Sequence, residues 1–109
     1  MSGLVTLTGL SVLSRMARAA LNWTQDDASD ASNVPGITIK RFETSTGTIT
    51  VDKLTRLFAA YEAAGASLRI DGDAIGVSIS RDKAAEVVDA IAAVAAARRR
   101  AALDGEQSK

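Results

Sequence analysis

The 109-residue chain has no cysteine and no histidine. The first absence excludes disulfides and thiolate metal sites. The second removes the commonest general base and the commonest metal ligand. Aromatic residues make up only 4% while alanine is abundant, so any core is assembled largely from small side chains. Charge of one sign is lacking too: 13 Lys and Arg balance 13 Asp and Glu. No global field then draws the chain to nucleic acid or to a membrane surface. No apolar run reaches the roughly 18 to 20 residues that span a bilayer. The opening MSGLVTLTGLSVLSRMARAA lacks the basic start of a signal peptide, and Arg15 and Arg18 follow its apolar part instead of preceding it. These absences point to a cytoplasmic, non-enzymatic protein with no cofactor, no metal, no small-molecule substrate and no membrane partner. The Ala, Val, Asp and Arg bias with little Lys fits a GC-rich genome, as in an actinobacterium or its phage.

What is present is 47% apolar, enough for one domain or one domain with an appendage. Leu10, Leu13, Met16, Ala17, Ala20 and Leu21 recur at helical spacing, with Thr8 or Ser11 as cap and Trp23 closing the segment. Residues 1–23 therefore read as an amphipathic helix. Residues 24–36, TQDDASDASNVPG, are polar, carry Asp26, Asp27 and Asp30, and end in Pro35-Gly36; they read as an acidic linker. No glutamate closes this stretch as an EF-hand requires, so it is not a calcium loop.

ITIKRFE and TITV are rich in β-branched residues and read as a hairpin around residues 44–47. Ile37 and Ile39 then share a face that Phe42 does not, unless a bulge intervenes. Asp52 suits the N-cap of a helix with Leu54, Leu57, Phe58 and Tyr61 as its apolar stripe, ended by Gly65. In SLRIDGDAIGVSIS, a two-residue Gly72-Asp73 turn of type II′ sets Asp71 opposite Ala74, Ile70 opposite Ile75 and Leu68 opposite Val77. That register accounts for both aspartates without a ligand. A last helix from Arg81 to Leu103, capped by Ser80 or Asp82, buries Val87, Val88, Ile91 and Val94. Residues 105–109 form a tail.

The two hairpin-helix units align at an offset of 30, with Asp52-Lys53 over Asp82-Lys83. The expected fold is α+β: the N-terminal helix followed by a ββαββα domain over residues 37–104, one antiparallel sheet with helices on one face. Residues 53–100 also resemble a known family. A helix ending at Gly65, followed by Leu68, Ile70, Gly72-Asp73, Ile75, Val77 and a further helix, resembles the helix-hairpin-helix docking domains of polyketide and nonribosomal peptide synthetases. The resemblance covers about half the chain and implies capture of a short partner segment along the hairpin edge. Gly76 and Ser78 stand where such a docking strand carries charge.

Arg98, Arg99 and Arg100 form the only basic cluster. Consecutive residues fan around a helix instead of forming a stripe, and at a C-terminus they complement the macrodipole. No aromatic platform for single strands accompanies them. The leading expectation is thus a protein-protein interaction or assembly module, an adaptor or homo-oligomer, with Leu10, Leu13, Met16, Leu21 and Trp23 on the partner-binding face. A small nucleic-acid-binding regulator using Arg98, Arg99 and Arg100, with Arg15 and Arg18, is the alternative; nucleic acid is not the expected partner.

Overall fold

The computed structural model describes residues 2–44 and 48–107. Its elements are α1 (Ser2–Leu21), α2 (Gln25–Ser32), α3 (Gly36–Glu43), α4 (Val51–Ala63), β1 (Ser67–Asp71), β2 (Ala74–Ser78) and α5 (Arg81–Gln107). The architecture is α+β, but its sheet has two strands and the helices dominate. The expected ββαββα domain is absent.

The correction begins at α1. Leu13, Ala17 and Leu21 lie one turn apart and are all buried. The helix packs on α3, α4, the hairpin and α5. It is therefore part of the core and not an appendage. Asn22 stops it in the left-handed region at φ 56°, and Trp23 N–H returns to the Arg18 carbonyl at 2.8 Å.

The stretch read as an acidic linker contains α2. Thr24 is its N-cap, accepting from Asp27 N–H at 3.0 Å while Asp27 Oδ2 accepts from Thr24 N–H at 2.9 Å. This capping box satisfies two donors that a helix start leaves orphaned. Asp26 and Asp27 in the first turn also suit the positive end of the dipole. The helix buries only Ala28 and Ser32, which is why its composition mimics a spacer.

ITIKRFE is α3, not a strand. Ile39, Phe42 and Glu43 are its buried residues. The helical period puts Ile39 and Phe42 on one face, which removes the need for the bulge that the strand reading demanded. Burial against α1 and α2 overrides the β preference of the branched residues. With no first hairpin, the repeat at offset 30 does not hold at the level of structure. Thr50 caps α4 in place of Asp52, accepting from Lys53 N–H at 3.3 Å. The expected turn at residues 44–47 falls mostly outside the described residues.

The second hairpin has the expected register, with Leu68 opposite Val77, Ile70 opposite Ile75 and Asp71 opposite Ala74. Gly72 sits at φ +60° while Asp73 does not have a positive φ, as a type II′ turn requires. Ser80 caps α5 by accepting from Lys83 N–H at 3.0 Å. The face of α5 that was expected to be buried is open: Val88, Ile91 and Val94 are 62%, 46% and 52% exposed.

Among the described residues no helix is long and apolar enough to cross a membrane.

Candidate functional site

Gln25–Ser32 and Gly36–Glu43 are two eight-residue helices separated by Asn33, Val34 and Pro35. Each turn residue has a distinct task. Asn33 ends α2 in the left-handed conformation at φ 60°, ψ 30°, which asparagine tolerates better than most residues. Its N–H reaches the Ser29 carbonyl at 2.8 Å. Val34 is buried and anchors the turn in the core cluster. Pro35 lacks an N–H, but its carbonyl accepts the first α3 bonds from Thr38 and Ile39 at 3.0 and 3.2 Å. Two serines of α2 lock the turn. Ser29 Oγ donates to the Val34 carbonyl at 2.6 Å; Ser32 Oγ donates to the Ala28 carbonyl at 2.6 Å and accepts from Val34 N–H at 3.2 Å. From α4, Arg56 Nη1 adds a bond to the Asn33 carbonyl at 3.4 Å. The unit is a helix-turn-helix with a three-residue turn.

The second helix has a core face and an outward stripe. Ile39, Phe42 and Glu43 point inward. Ile37, Lys40, Arg41 and Thr44 lie three or four residues apart on the opposite side and are exposed. An apolar residue 55% exposed at Ile37, next to Lys40 and Arg41, is a surface with both contact and donor groups. Gly36 starts the helix against Asp26 and Ser29 of α2, within ordinary van der Waals distance of where a Cβ would stand.

The far end of α3 is clamped from inside. The Glu43 carboxylate receives Arg18 Nη2 at 2.7 Å, Arg18 Nε at 3.0 and 3.1 Å, Gln25 Nε2 at 3.0 Å and Ser14 Oγ at 2.5 Å. Ser14 gives its only proton to Glu43, so the 2.8 Å contact between Ser14 Oγ and Tyr61 Oη has the phenol as donor. Burial by itself raises the Glu43 pKa; the hydrogen bonds from Arg18, Gln25 and Ser14, and the Arg18 charge, outweigh it and hold the carboxyl below its ordinary value. Burial pushes the Tyr61 phenol up to about 12, with the Glu43 charge acting in the same direction and the Arg18 charge against it. The Glu43 hydrogen bond raises the Arg18 pKa, opposed by burial and assisted by the Glu43 charge. One cluster thus ties α1, α2, α3 and α4 together and orients α3 relative to the turn. Among the described residues it leaves no buried side-chain polar atom unpaired.

The residues singled out from sequence are placed differently. Leu13 and Leu21 are buried, while Leu10, Met16 and Trp23 are half-buried. Trp23 packs against the core with its ring centroid 5.9 Å from that of Tyr61 and the two rings tilted by 43°. Leu13 and Leu21 are thus taken up by the chain's own core and Leu10 and Trp23 pack against it, while Met16 stays partly exposed. Arg18 is committed to Glu43, whereas Arg15 is exposed. Arg98, Arg99 and Arg100 are exposed on α5, which packs on α1, away from the α2 and α3 neighbourhood. Asp71 and Asp73 are exposed turn residues, Asp71 lying 3.6 Å from Arg69. Among the described residues no group of three acidic side chains is placed to hold a metal ion.

Sequence reasoning missed Ile37, Lys40, Arg41 and Thr44 because it read their segment at period two. The signal was present: a Thr-x-x-Asp start, an Asn-x-Pro break beginning nine residues later, and Ile39 and Phe42 three apart. No family model, no curated protein and no solved structure matches the chain.

Proposed function

We propose that this chain is a DNA-binding regulator that reads the major groove with α3. The observation that carries the reading is the helix-turn-helix itself, with Ile37, Lys40, Arg41 and Thr44 facing out and Ile39, Phe42 and Glu43 facing in. In this arrangement the second helix enters the groove and its early residues meet base edges. Eight residues of helix are about 12 Å long, and the groove, about 12 Å wide, admits them. Arg41 has the planar fork that suits guanine O6 and N7. Lys40 suits a phosphate or a guanine, and Ile37 suits a thymine methyl. The rigid clamp at Glu43 supports this role, because base readout needs the helix held in one orientation.

Electrostatics set the affinity expected. The chain has zero net charge, and Asp26, Asp27 and Asp30 flank the reading helix. Non-specific attraction to phosphate is therefore weak, and discrimination rests on direct contacts. Arg98, Arg99 and Arg100 are not required for it.

The test is selection of duplexes from a random pool, followed by fluorescence anisotropy at defined salt. A recovered consensus whose binding falls at least tenfold in Arg41→Ala, with Arg98, Arg99 and Arg100 all changed to Gln having little effect, supports the reading. No enrichment over several rounds, or equal binding by the Arg41→Ala variant, refutes it. The adaptor reading retains one favourable observation, the open apolar face of α5.

A further inference from the structure

The hairpin has one strand held against the body and one that is open. α1 packs chiefly on β2, where Ile75 Cγ2 lies 3.3 Å from the place a Cβ on Gly9 would take. Among the described residues no third strand flanks β1. Its last three residues, Arg69, Ile70 and Asp71, are exposed. The two-residue turn fixes which groups this edge presents. Asp71 and Ala74 close the turn and exchange hydrogen bonds, and Arg69 and Gly76 do the same one step along the alternation. Leu68 and Ile70 fall between these pairs and turn their N–H and C=O groups away from β2. Among the described residues no turn, loop or cap bond takes up the N–H of either. The side chains of Arg69 and Asp71 share one face of the strand, 3.6 Å apart and both largely exposed. Ile70 is on the other face beside Leu68 and is 51% exposed.

We propose that a second copy of this chain pairs with that edge, β1 against β1, antiparallel about Ile70. Backbone and side chains select the same register. Centred there, the Ile70 residues of the two copies exchange both backbone hydrogen bonds, which their outward groups are oriented to make. Arg69 of each copy then stands directly opposite Asp71 of the other, on the face that these side chains already share. Four charges alternate around a square, each beside an opposite charge along its own strand and another across the pair. On the other face the two exposed Ile70 side chains cover each other. Neighbouring registers fail. Centred on Arg69 or on Asp71, like charges meet. Centred on Leu68, Ile70 is set against Ala66, which is fully buried in the body. A foreign extended segment supplies the backbone bonds but not this matched pair of charges, so the occupant is the chain itself. The contact is short and its ion pairs are exposed, so the association expected is weak and concentration-dependent.

This inference does not depend on α3 reading DNA, and it is tested without DNA. Sedimentation of the full chain over a concentration series should show the mass rising toward twice that of one chain. Amide hydrogen exchange over the same series should show Ile70 becoming protected. Arg69→Asp alone and Asp71→Arg alone each set like charges opposite one another and should stay monomeric. An equal mixture of the two should regain the doubled mass and the Ile70 protection, as should one chain carrying both changes. Both positions are exposed, and Trp23 fluorescence checks that the body stays folded. A wild-type chain that is monomeric throughout overturns the proposal. So does a dimer that survives both single reversals, or one in which Ile70 stays unprotected; either puts the contact elsewhere, the open face of α5 included. Loss of DNA binding with the pairing intact counts only against the reading of α3.

Discussion

Arg18 Nη2 lies 2.7 Å from Glu43 Oε1, with the two side chains 19% and 1% exposed. The pair joins the last turn of α1 to the last residue of α3 across 25 residues of sequence. A carboxylate this buried is tolerated because Arg18, Gln25 and Ser14 all donate to it. The consequence is positional: the end of the exposed stripe on α3 is held by a group that no solvent contact can replace.

Removing one partner should therefore cost more than removing both. Glu43→Leu leaves Arg18 part-buried and unpaired and should destabilise the fold by about 3 kcal/mol. Adding Arg18→Met should recover part of that loss. Urea midpoints of the two single variants and the double variant give the coupling; purely additive effects would mean the pair is not a unit.

The same cluster makes stability depend on pH at both ends. The folded Glu43 pKa is depressed, so its contribution is present above the ordinary glutamate value and is lost as pH falls through the folded value. Acid should destabilise the wild-type chain more than Glu43→Gln, read as the narrowing gap between their melting temperatures below about pH 4. Tyr61 behaves oppositely. Its folded pKa is raised to about 12, so its contribution is intact below the unfolded value near 10 and is lost as pH rises through 12. It is the only tyrosine, so ultraviolet titration reports it alone. A midpoint at about 10 in a still folded chain would contradict its burial.

Ile37 and Ile39 separate the helical from the extended reading of α3. As a strand they share a face; in α3 one is exposed and the other buried. Ile39→Ala should cost about 2 to 4 kcal/mol by cavity formation, and Ile37→Ala should fall within about 0.5 kcal/mol of wild type. Similar costs at both positions would favour the strand. Under the proposed reading of α3, Ile37→Ala should nevertheless weaken binding to the selected duplex.

Deleting residues 1–23 should unfold the chain. The deletion removes Leu13, Ala17 and Leu21 from the core and Arg18 from Glu43. Circular dichroism and thermal melting check this; a cooperative transition in the shortened chain would mean that α1 is dispensable to the core.

The Gly72 turn should behave as structure only. Gly72→Ala forces a side chain into φ +60° and should cost about 1 kcal/mol. Asp73→Asn should be close to neutral. Calcium or magnesium should give no saturable rise in melting temperature; a rise that vanishes in Asp73→Asn would reveal a site.

How much of this was legible depends on the range of the forces involved. The hairpin from Ser67 to Ser78 was readable residue by residue, because a two-residue glycine turn between alternating apolar residues sets its own register. The helices α4 and α5 were readable because their apolar repeats are local, as is the Ser80 cap of α5, although the cap of α4 fell on Thr50 and not on Asp52. The α2 segment was hidden by having only Ala28 and Ser32 buried, so a helix and a spacer have nearly the same composition there. For α3 the local signal pointed the wrong way: Ile37, Thr38 and Ile39 favour a strand. Only tertiary structure decided it, because a helix buries Ile39 and Phe42 together and delivers Glu43 to Arg18, Gln25 and Ser14. An extended chain puts Ile39 and Phe42 on opposite faces. The same distinction separates the two apolar helices. The stripe of α1 and that of α5 look alike in sequence, yet packing buries Leu13 and leaves Ile91 open, since a finite body of this size covers only the helix that crosses its centre.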